Sequence, residues 1–222
     1  MAREVVLDTE TTGLSPADGH RLVEVAAWEL HDLVPTGRYF HSYVNPEREM
    51  PEEAFAVHGL SAAFLAEKPL FAEIVDELLE FLGDSPLVIH NAGFDMAFLN
   101  AELTRAGREP LPTSRAIDTL LLARQRFPGA PVSLDALCRR YGIDNSRRAL
   151  HGALLDSQLL AEVYLQLLGG RQTALDLAVA AATGVGAGAL TPRPARPHAA
   201  SAAELERHGA FIKTLDDPVW LL

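Results

Sequence analysis

The stretch VVLDTETTGL, Val5 to Leu14, decides how the rest of the chain is read. Its β-branched and aliphatic run, Val5 to Leu7, reads as a buried strand. The run ends in carboxylate, Thr, carboxylate. Residues two apart in a strand share a face, so Asp8 and Glu10 project together from its C-terminal end. Open α/β sheets place their ligands at that end. Two carboxylates on one face repel, and a cation between them relieves the repulsion. A surface turn rich in acid and Thr has the same composition, so the pair alone does not decide between a metal site and a loop.

Outward from this stretch, RLVEVAAWEL (21–30) and GRYFHSYV (37–44) read as two strands around the turn-like HDLVPT, an antiparallel hairpin. Asn45 to Leu65, with Pro46 and Pro51, reads as mostly irregular. Ile74, Val75, Leu78, Leu79 and Leu82 recur at helical spacing and predict a helix from Leu70 to Leu82, stopped by Gly83. PLVIH (86–90) reads as a short buried strand feeding Asn91-Ala92-Gly93-Phe94-Asp95 and a helix to Ala106. Ala116 to Asp118 reads as another strand, followed by a helix to Phe127. Ser133 is a fitting N-cap for SLDALCRRYG, and a last helix spans Ala153 to Leu168. A hairpin followed by strands alternating with helices implies an α/β fold whose sheet mixes antiparallel and parallel pairs.

With 222 residues and 48% hydrophobic content, the chain can bury one good core and leave a tail. The lone cysteine, Cys138, excludes an internal disulfide, and its helical spacing with Leu134, Leu137 and Tyr141 marks a buried structural thiol. The N-terminus enters the first strand directly, leaving no room for a signal peptide, and the longest uncharged run is too short for a bilayer. The expectation is a soluble cytoplasmic protein without a membrane partner. The whole net charge of −11 falls within residues 1–170. Such an acidic body argues against a free-standing protein that grips nucleic acid by neutralising phosphates. A nucleic-acid substrate would need metal ions to screen it or a partner to deliver it. After Gly170 the character changes, which sets domain bounds of 1–170 and 171–222. Residues 178–203 form an Ala/Gly/Pro-rich linker, and AELERHGAFIKTLDDPVWLL then regains amphipathic spacing. That segment docks on a partner or folds back on its own domain as a helix.

Asp95 opens the helix after PLVIH, where compensation of the helix dipole would also account for it. His151 and Asp156, five apart, stand about 140° apart on a helix and cannot both face one ligand from a regular one. They can if His151 lies in the loop ahead and Asp156 one turn inside. His151 is then exposed, as a general base should be. Four acids from a strand end and two helices, with one His, suit two-metal phosphoryl chemistry. Carboxylates give Mg²⁺ or Mn²⁺ hard oxygen ligands, and two ions about 3.5–4 Å apart hold the attacking and leaving oxygens. An aspartyl-phosphate phosphatase expects Asp at both positions of its DxD, and Glu10 argues against it.

VLDTETTGL, HNAGFDMAFL and LHGALLDSQLLAEVY, in this order and spacing, resemble the three exonuclease motifs of the DnaQ-like (DEDDh) 3′→5′ exonuclease family. The likeness spans residues 4–170, and NPEREMPEEAFAVHGL and SLDALCRRYGIDNSRRALHGALLD resemble its proofreading members in particular. The resemblance implies a ribonuclease H-like mixed sheet flanked by helices. It also implies hydrolysis of the terminal phosphodiester of single-stranded 3′ DNA ends, releasing nucleoside monophosphates. By the same resemblance, Asp8 bridges two metal ions, Glu10 and Asp156 complete the tighter site, Asp95 holds the second ion, and His151 takes the proton from the attacking water. Glu53 and His58 help hold the terminal nucleotide; an ordinary loop carboxylate and a core histidine are the alternatives. Leu14 matches the wedge against the terminal base, and the backbone of Thr9 to Thr12 lines the sugar pocket. Asp118 is an acid behind the ligands or, more simply, a helix N-cap. In the tail, Gln172, Leu175 and Leu177 match the QxxLxL sliding-clamp motif. The terminal segment would anchor a polymerase catalytic subunit, and a small third core subunit is a further implied partner. An exoribonuclease of the same family and an idle adaptor tethering polymerase to clamp stand as alternatives.

Overall fold

The computed structural model describes residues 2–146, 148, 150–170 and 200–214. Five strands, β1 (Arg3–Thr11), β2 (Leu22–His31), β3 (Val34–Tyr43), β4 (Leu87–Ile89) and β5 (Ala116–Asp118), form one sheet in the order β3-β2-β1-β4-β5. The β1–β2 and β2–β3 pairs are antiparallel; β1–β4 and β4–β5 are parallel. The helices of this unit are α1 (Glu52–His58), α2 (Ala62–Ala66), α3 (Phe71–Leu82), α4 (Ala92–Arg105), α5 (Thr119–Arg126), α6 (Leu134–Tyr141) and α7 (Ala153–Leu167).

Strand alternation splits the core in two. Val5, Leu7, Val25, Leu87 and Ile89 pack with Ile74, Leu78, Leu99 and Leu103 of α3 and α4. Val6, Leu30 and Val88 pack on the other face with Ala123, Leu137, Leu160 and Val163 of α5, α6 and α7. Covered on both sides, β1 and β4 read as unbroken apolar runs rather than alternating ones. Cys138 is buried in the second cluster, and burial pushes its thiol up to about 11, as suits a structural thiol.

Three expectations need correction. The first strand does not stop at Leu7: β2 pairs with it as far as Thr11, whereas β4 pairs only at Val5 and Val6. Beyond Val6 the parallel side of β1 therefore opens into a crevice. The turn-like HDLVPT is really a two-residue hairpin turn, Asp32 and Leu33, both left-handed at φ 49° and 67°. Leu seldom adopts that conformation, so the sequence carried no sign of it; Pro35 sits in the edge strand β3, where prolines are accepted. The segment from Asn45 to Leu65 is about half helical, as α1 and α2, the latter capped by Ser61, which accepts from the Phe64 N–H at 3.2 Å. Its prolines precede the helices instead of breaking them.

Among the described residues no helix is long and apolar enough to cross a membrane. In the second compact unit, Asp176–Leu222, the described residues form one helix, α8 (Ala202–Ile212), closed by a capping box between Ser201 and Glu204. The clamp-like hexapeptide from Gln172 to Leu177 and residues 178–199 of the Ala/Gly/Pro-rich linker lie outside the described residues; the last residues assigned to the linker, Ala202 and Ala203, instead open α8 behind its N-cap Ser201.

Helix α4 is fixed to the start of β2 by Glu102, which is 1% exposed and accepts from Arg21 at 2.6 and 2.9 Å and from Arg105 at 3.1 Å. Replacing Glu102 by Leu strands the half-buried Arg21 charge and should cost about 3 kcal/mol of stability. A shift in the urea midpoint checks this, and a loss below about 1 kcal/mol would place Arg21 in a solvated setting instead.

Candidate active site

Asp8 and Glu10 share parity with Val6, so they face the side of the sheet covered by α7. There Asp156 stands in the first turn of α7, 3% exposed, while His151 lies in the loop before the N-cap Gly152, its side chain 49% exposed. This is the arrangement that the five-residue spacing demands. Asp95, in the first turn of α4, reaches the crevice from the other side and is held by Thr9, whose hydroxyl donates to Oδ1 at 2.7 Å. Glu10, His151 and Asp156 each offer a ligand atom within 4.8 Å of the others. Asp118 is the N-cap of α5, accepting from the Leu120 and Asn91 N–H groups at 2.8 and 3.1 Å. Glu162 is exposed on α7.

Crowding shifts these groups. Burial, then the charges of Asp95, Glu10, Asp156 and Glu24, drives Asp8 well above the carboxylate range. Burial, then Asp156, Glu24 and Asp95, raises Glu10 to about 8. Burial raises Asp95 to about 7 although Thr9 donates to it. Asp156 moves the other way: burial pushes it up, but the two hydrogen bonds from Arg148 and the Arg148 charge bring it below its ordinary value.

Three residues that sequence reasoning passed over complete the site. Arg148 donates to both oxygens of Asp156, at 2.5 and 2.6 Å. Glu24 lies directly across from Glu10 on β2, 2% exposed; its oxygens accept from the Ala153 N–H at 3.1 Å and meet His41 Nε2 at 2.7 Å, tying down the start of α7. In VEVAAWEL it reads as a solvent-facing strand residue. Phe94 separates two adjoining clefts, and its place after Asn91-Ala92-Gly93 was its only signal.

The first cleft, about 520 Å³, is lined by the residues from Thr9 to Leu14 and by Glu53, Ala54, Val57, His58 and Phe94. Leu14 stands 86% exposed at its rim. His58 is 5% exposed; its Nδ1 accepts from the Leu60 N–H at 3.0 Å, which leaves the proton on Nε2, and burial holds the ring below its ordinary pKa and neutral. Among the described residues that Nε2–H has no partner. The second cleft holds Asp8, Asp95, Asp135, Arg148, His151 and Asp156. The structure thus brings Asp8, Glu10, Asp95, His151 and Asp156 to one crevice, and Leu14, Glu53 and His58 to the cleft beside it.

A mixed sheet in this order, with acids gathered where β1 outlasts its parallel neighbour, defines a ribonuclease H-like nuclease. A family model described as Exonuclease matches residues 5–164. The DNA polymerase III subunit epsilon of Rickettsia felis is 57% identical over 178 residues, 79% of this chain and 78% of the relative. That of Escherichia coli (strain K12) is 47% identical over 186 residues, 81% of this chain and 76% of the relative. Among solved structures, exonuclease X in complex with 5′ overhanging duplex DNA aligns at a TM-score of 0.58 and 27% identity, over 76% of this chain and 91% of that one. The nuclease domain of 3′hExo, a DEDDh family member, bound to rAMP, shares the fold at a TM-score of 0.62 and 18% identity, over 75% and 91%. The chain belongs to the exonuclease family and, within it, to the DNA polymerase III epsilon subunits, the proofreading 3′→5′ exonucleases. The family and the acidic cluster together imply a divalent-metal site.

The shifted carboxyls give a stability signature. Glu10 rises from 4.5 to about 8 on folding and Asp95 from 3.8 to about 7, so between those limits the folded chain keeps protons that the unfolded chain has lost. Stability of the chelator-treated protein should therefore fall as pH rises across that window. Glu10→Gln should melt above the unsubstituted chain at pH 8.5 and close to it at pH 4.5. Equal melting temperatures at pH 8.5 would mean that Glu10 carries no electrostatic cost.

Proposed function

We propose that this proofreading exonuclease hydrolyses the terminal phosphodiester of single-stranded 3′ DNA ends with two divalent ions, Mg²⁺ or Mn²⁺, and releases deoxynucleoside monophosphates. The observation that carries the reading is the convergence of four carboxylates, from β1, α4 and α7, three of them raised by burial and two, Asp8 and Glu10, also by their neighbours in the group. Such a site carries an excess of negative charge, with Arg148 paired to Asp156, and offers mainly hard oxygen ligands, which fits these ions. Asp8, Glu10, Asp95 and Asp156 would hold them. When bound, the ions supply Lewis-acid stabilisation of the attacking and leaving oxygens.

The chain's own residues do the rest. His151, half-exposed in its loop, accepts the proton of the attacking water. His58 donates its Nε2–H to the terminal nucleotide and Glu53 accepts from it, while Leu14 presents an apolar surface to the terminal base. A mispaired end reaches the cleft more readily because each lost stacking step costs only roughly 1–2 kcal/mol. The acidic body leaves the grip on DNA to a polymerase catalytic subunit. The naming of the relatives as subunits of DNA polymerase III supports that partner. On this reading residues 1–170 are the exonuclease domain, and the tail, 171–222, reaches the sliding clamp through Gln172, Leu175 and Leu177 and the polymerase through its terminal segment. A small third core subunit and a cytoplasmic setting complete the proposal.

Release of mononucleotides from labelled single-stranded DNA tests it. Asp8→Ala or Asp156→Asn should reduce the rate by about a thousandfold or more, roughly 4 kcal/mol of barrier. A chelator should do the same, and full release in its presence would sink the two-metal reading. Deleting residues 171–222 should spare hydrolysis and abolish the complex with polymerase. A truncated chain that unfolds would instead assign the tail to the core.

A further inference from the structure

Arg148 lies in the loop between α6 and α7, and its side chain is 7% exposed. Its Nε and Nη2 donate to Asp156 Oδ1 and Oδ2 at 2.5 and 2.6 Å, and Nη2 lies 2.9 Å from His151 Nδ1, to which it donates. Nη1 donates to Asp135 Oδ1 at 2.7 Å. One guanidinium thus occupies both oxygens of a ligand carboxylate and a ring nitrogen of the base. Glu10, His151 and Asp156 are the same three residues whose ligand atoms lie close enough to share an ion.

We propose that Arg148 is a built-in surrogate cation, which holds Asp156 and His151 while the metal site is empty and must release both for metal to bind. Loading the site and freeing the base are then one event. The inference rests on the two-metal reading. Two features support exchange over a permanent clamp. The bidentate fork holds a donor against each Asp156 oxygen, so an ion bound between Asp156 and Glu10 has to share that carboxylate with a cation. Asp135, whose side chain is 44% exposed on α6, gives the guanidinium an anchor outside the ligand set when it lets go.

The sign of one measurement separates competitor from clamp. Mn²⁺ affinity of the full chain, read by electron paramagnetic resonance of the free ion, should be about tenfold tighter in Arg148→Gln, the worth of one charge-assisted hydrogen bond lost to the competitor. Arg148→Lys should fall between, keeping the charge without the fork. Unchanged or weaker binding in Arg148→Gln would make Arg148 a support of the ligand set and overturn the proposal. Failure of the unsubstituted chain and Arg148→Gln alike to bind Mn²⁺ would defeat the metal site itself, a separate result. The unsubstituted protein offers a second readout. Titration with Mg²⁺ should move the His151 Nδ1 nitrogen resonance from its hydrogen-bonded to its free position, and an unmoved resonance would also overturn the proposal.

Discussion

Mutual repulsion among buried carboxylates is the constraint on which the structure depends. Asp8, Glu10, Asp95 and Asp156 come from three elements; Glu10, Asp95 and Asp156 each raise the cost of ionising Asp8, and Asp95 and Asp156 that of ionising Glu10. Nothing local holds them together. The apolar clusters on the two faces of β1 do so by fixing strand and helices independently of the charges they carry. Helix α7 needs more than packing, since it must bring Asp156 toward Glu10 against the field. Three polar ties add to its apolar face: Ala153 N–H to Glu24, Trp28 Nε1 to the Leu154 carbonyl at 3.3 Å, and Tyr164 hydroxyl to Glu4 at 2.8 Å. All three receiving or donating strand residues share the parity of Asp8, so one face of the hairpin both carries the acids and anchors the helix opposite them.

The crevice itself is a mismatch of strand lengths. Pairing on the antiparallel side continues to Thr11, while β4 has already turned into α4. Asn91, left-handed at φ 67°, makes that turn, and its N–H is received by Asp118. Asp95 therefore arrives beside the acids of β1 without disturbing the hairpin. A similar economy links recognition to chemistry. The His151 N–H donates to the Val57 carbonyl at 3.0 Å, and Leu150 lies against Gly59, where an added Cβ would come within 2.6 Å of its side chain. Gly59 also takes φ 73°. The loop bearing His151 thus rests on the end of α1 that bears His58.

Much of this was legible in the sequence because it depends on period alone. Alternation placed Asp8 and Glu10 on one face, and the five-residue step put His151 ahead of the helix that holds Asp156. The misses have a different origin. Glu24 looks like the polar half of an alternating strand, and only the position of α7 makes it buried. Arg148 is one of two adjacent arginines in an irregular loop; its role requires α6, α7 and the loop to meet, which no spacing encodes. The turn at Asp32 and Leu33 was hidden because tertiary pairing, not residue preference, sets its conformation. Helix α1 was hidden by Pro46 and Pro51, which look like breakers until their place before its first turn is known, and α2 by its shortness.

The division between the clefts bears on where the reaction would occur. Thr9, Glu10 and Phe94 line both; beyond them one side is lined by Ala54 and Val57, with Leu14 at its rim, and the other by acids, Arg148 and His151. A 3′-terminal nucleotide is divided in the same way, with an apolar base and sugar on one side and charged phosphates on the other. On the proposed reading, solvation alone sorts the substrate: the base enters the apolar cleft, whereas the phosphates gain nothing there. The bond between the two halves then lies at Glu10, the one acid that both clefts share. Placement of the reacting bond thus follows from how β1 is paired, before any contact specific to the nucleotide is made.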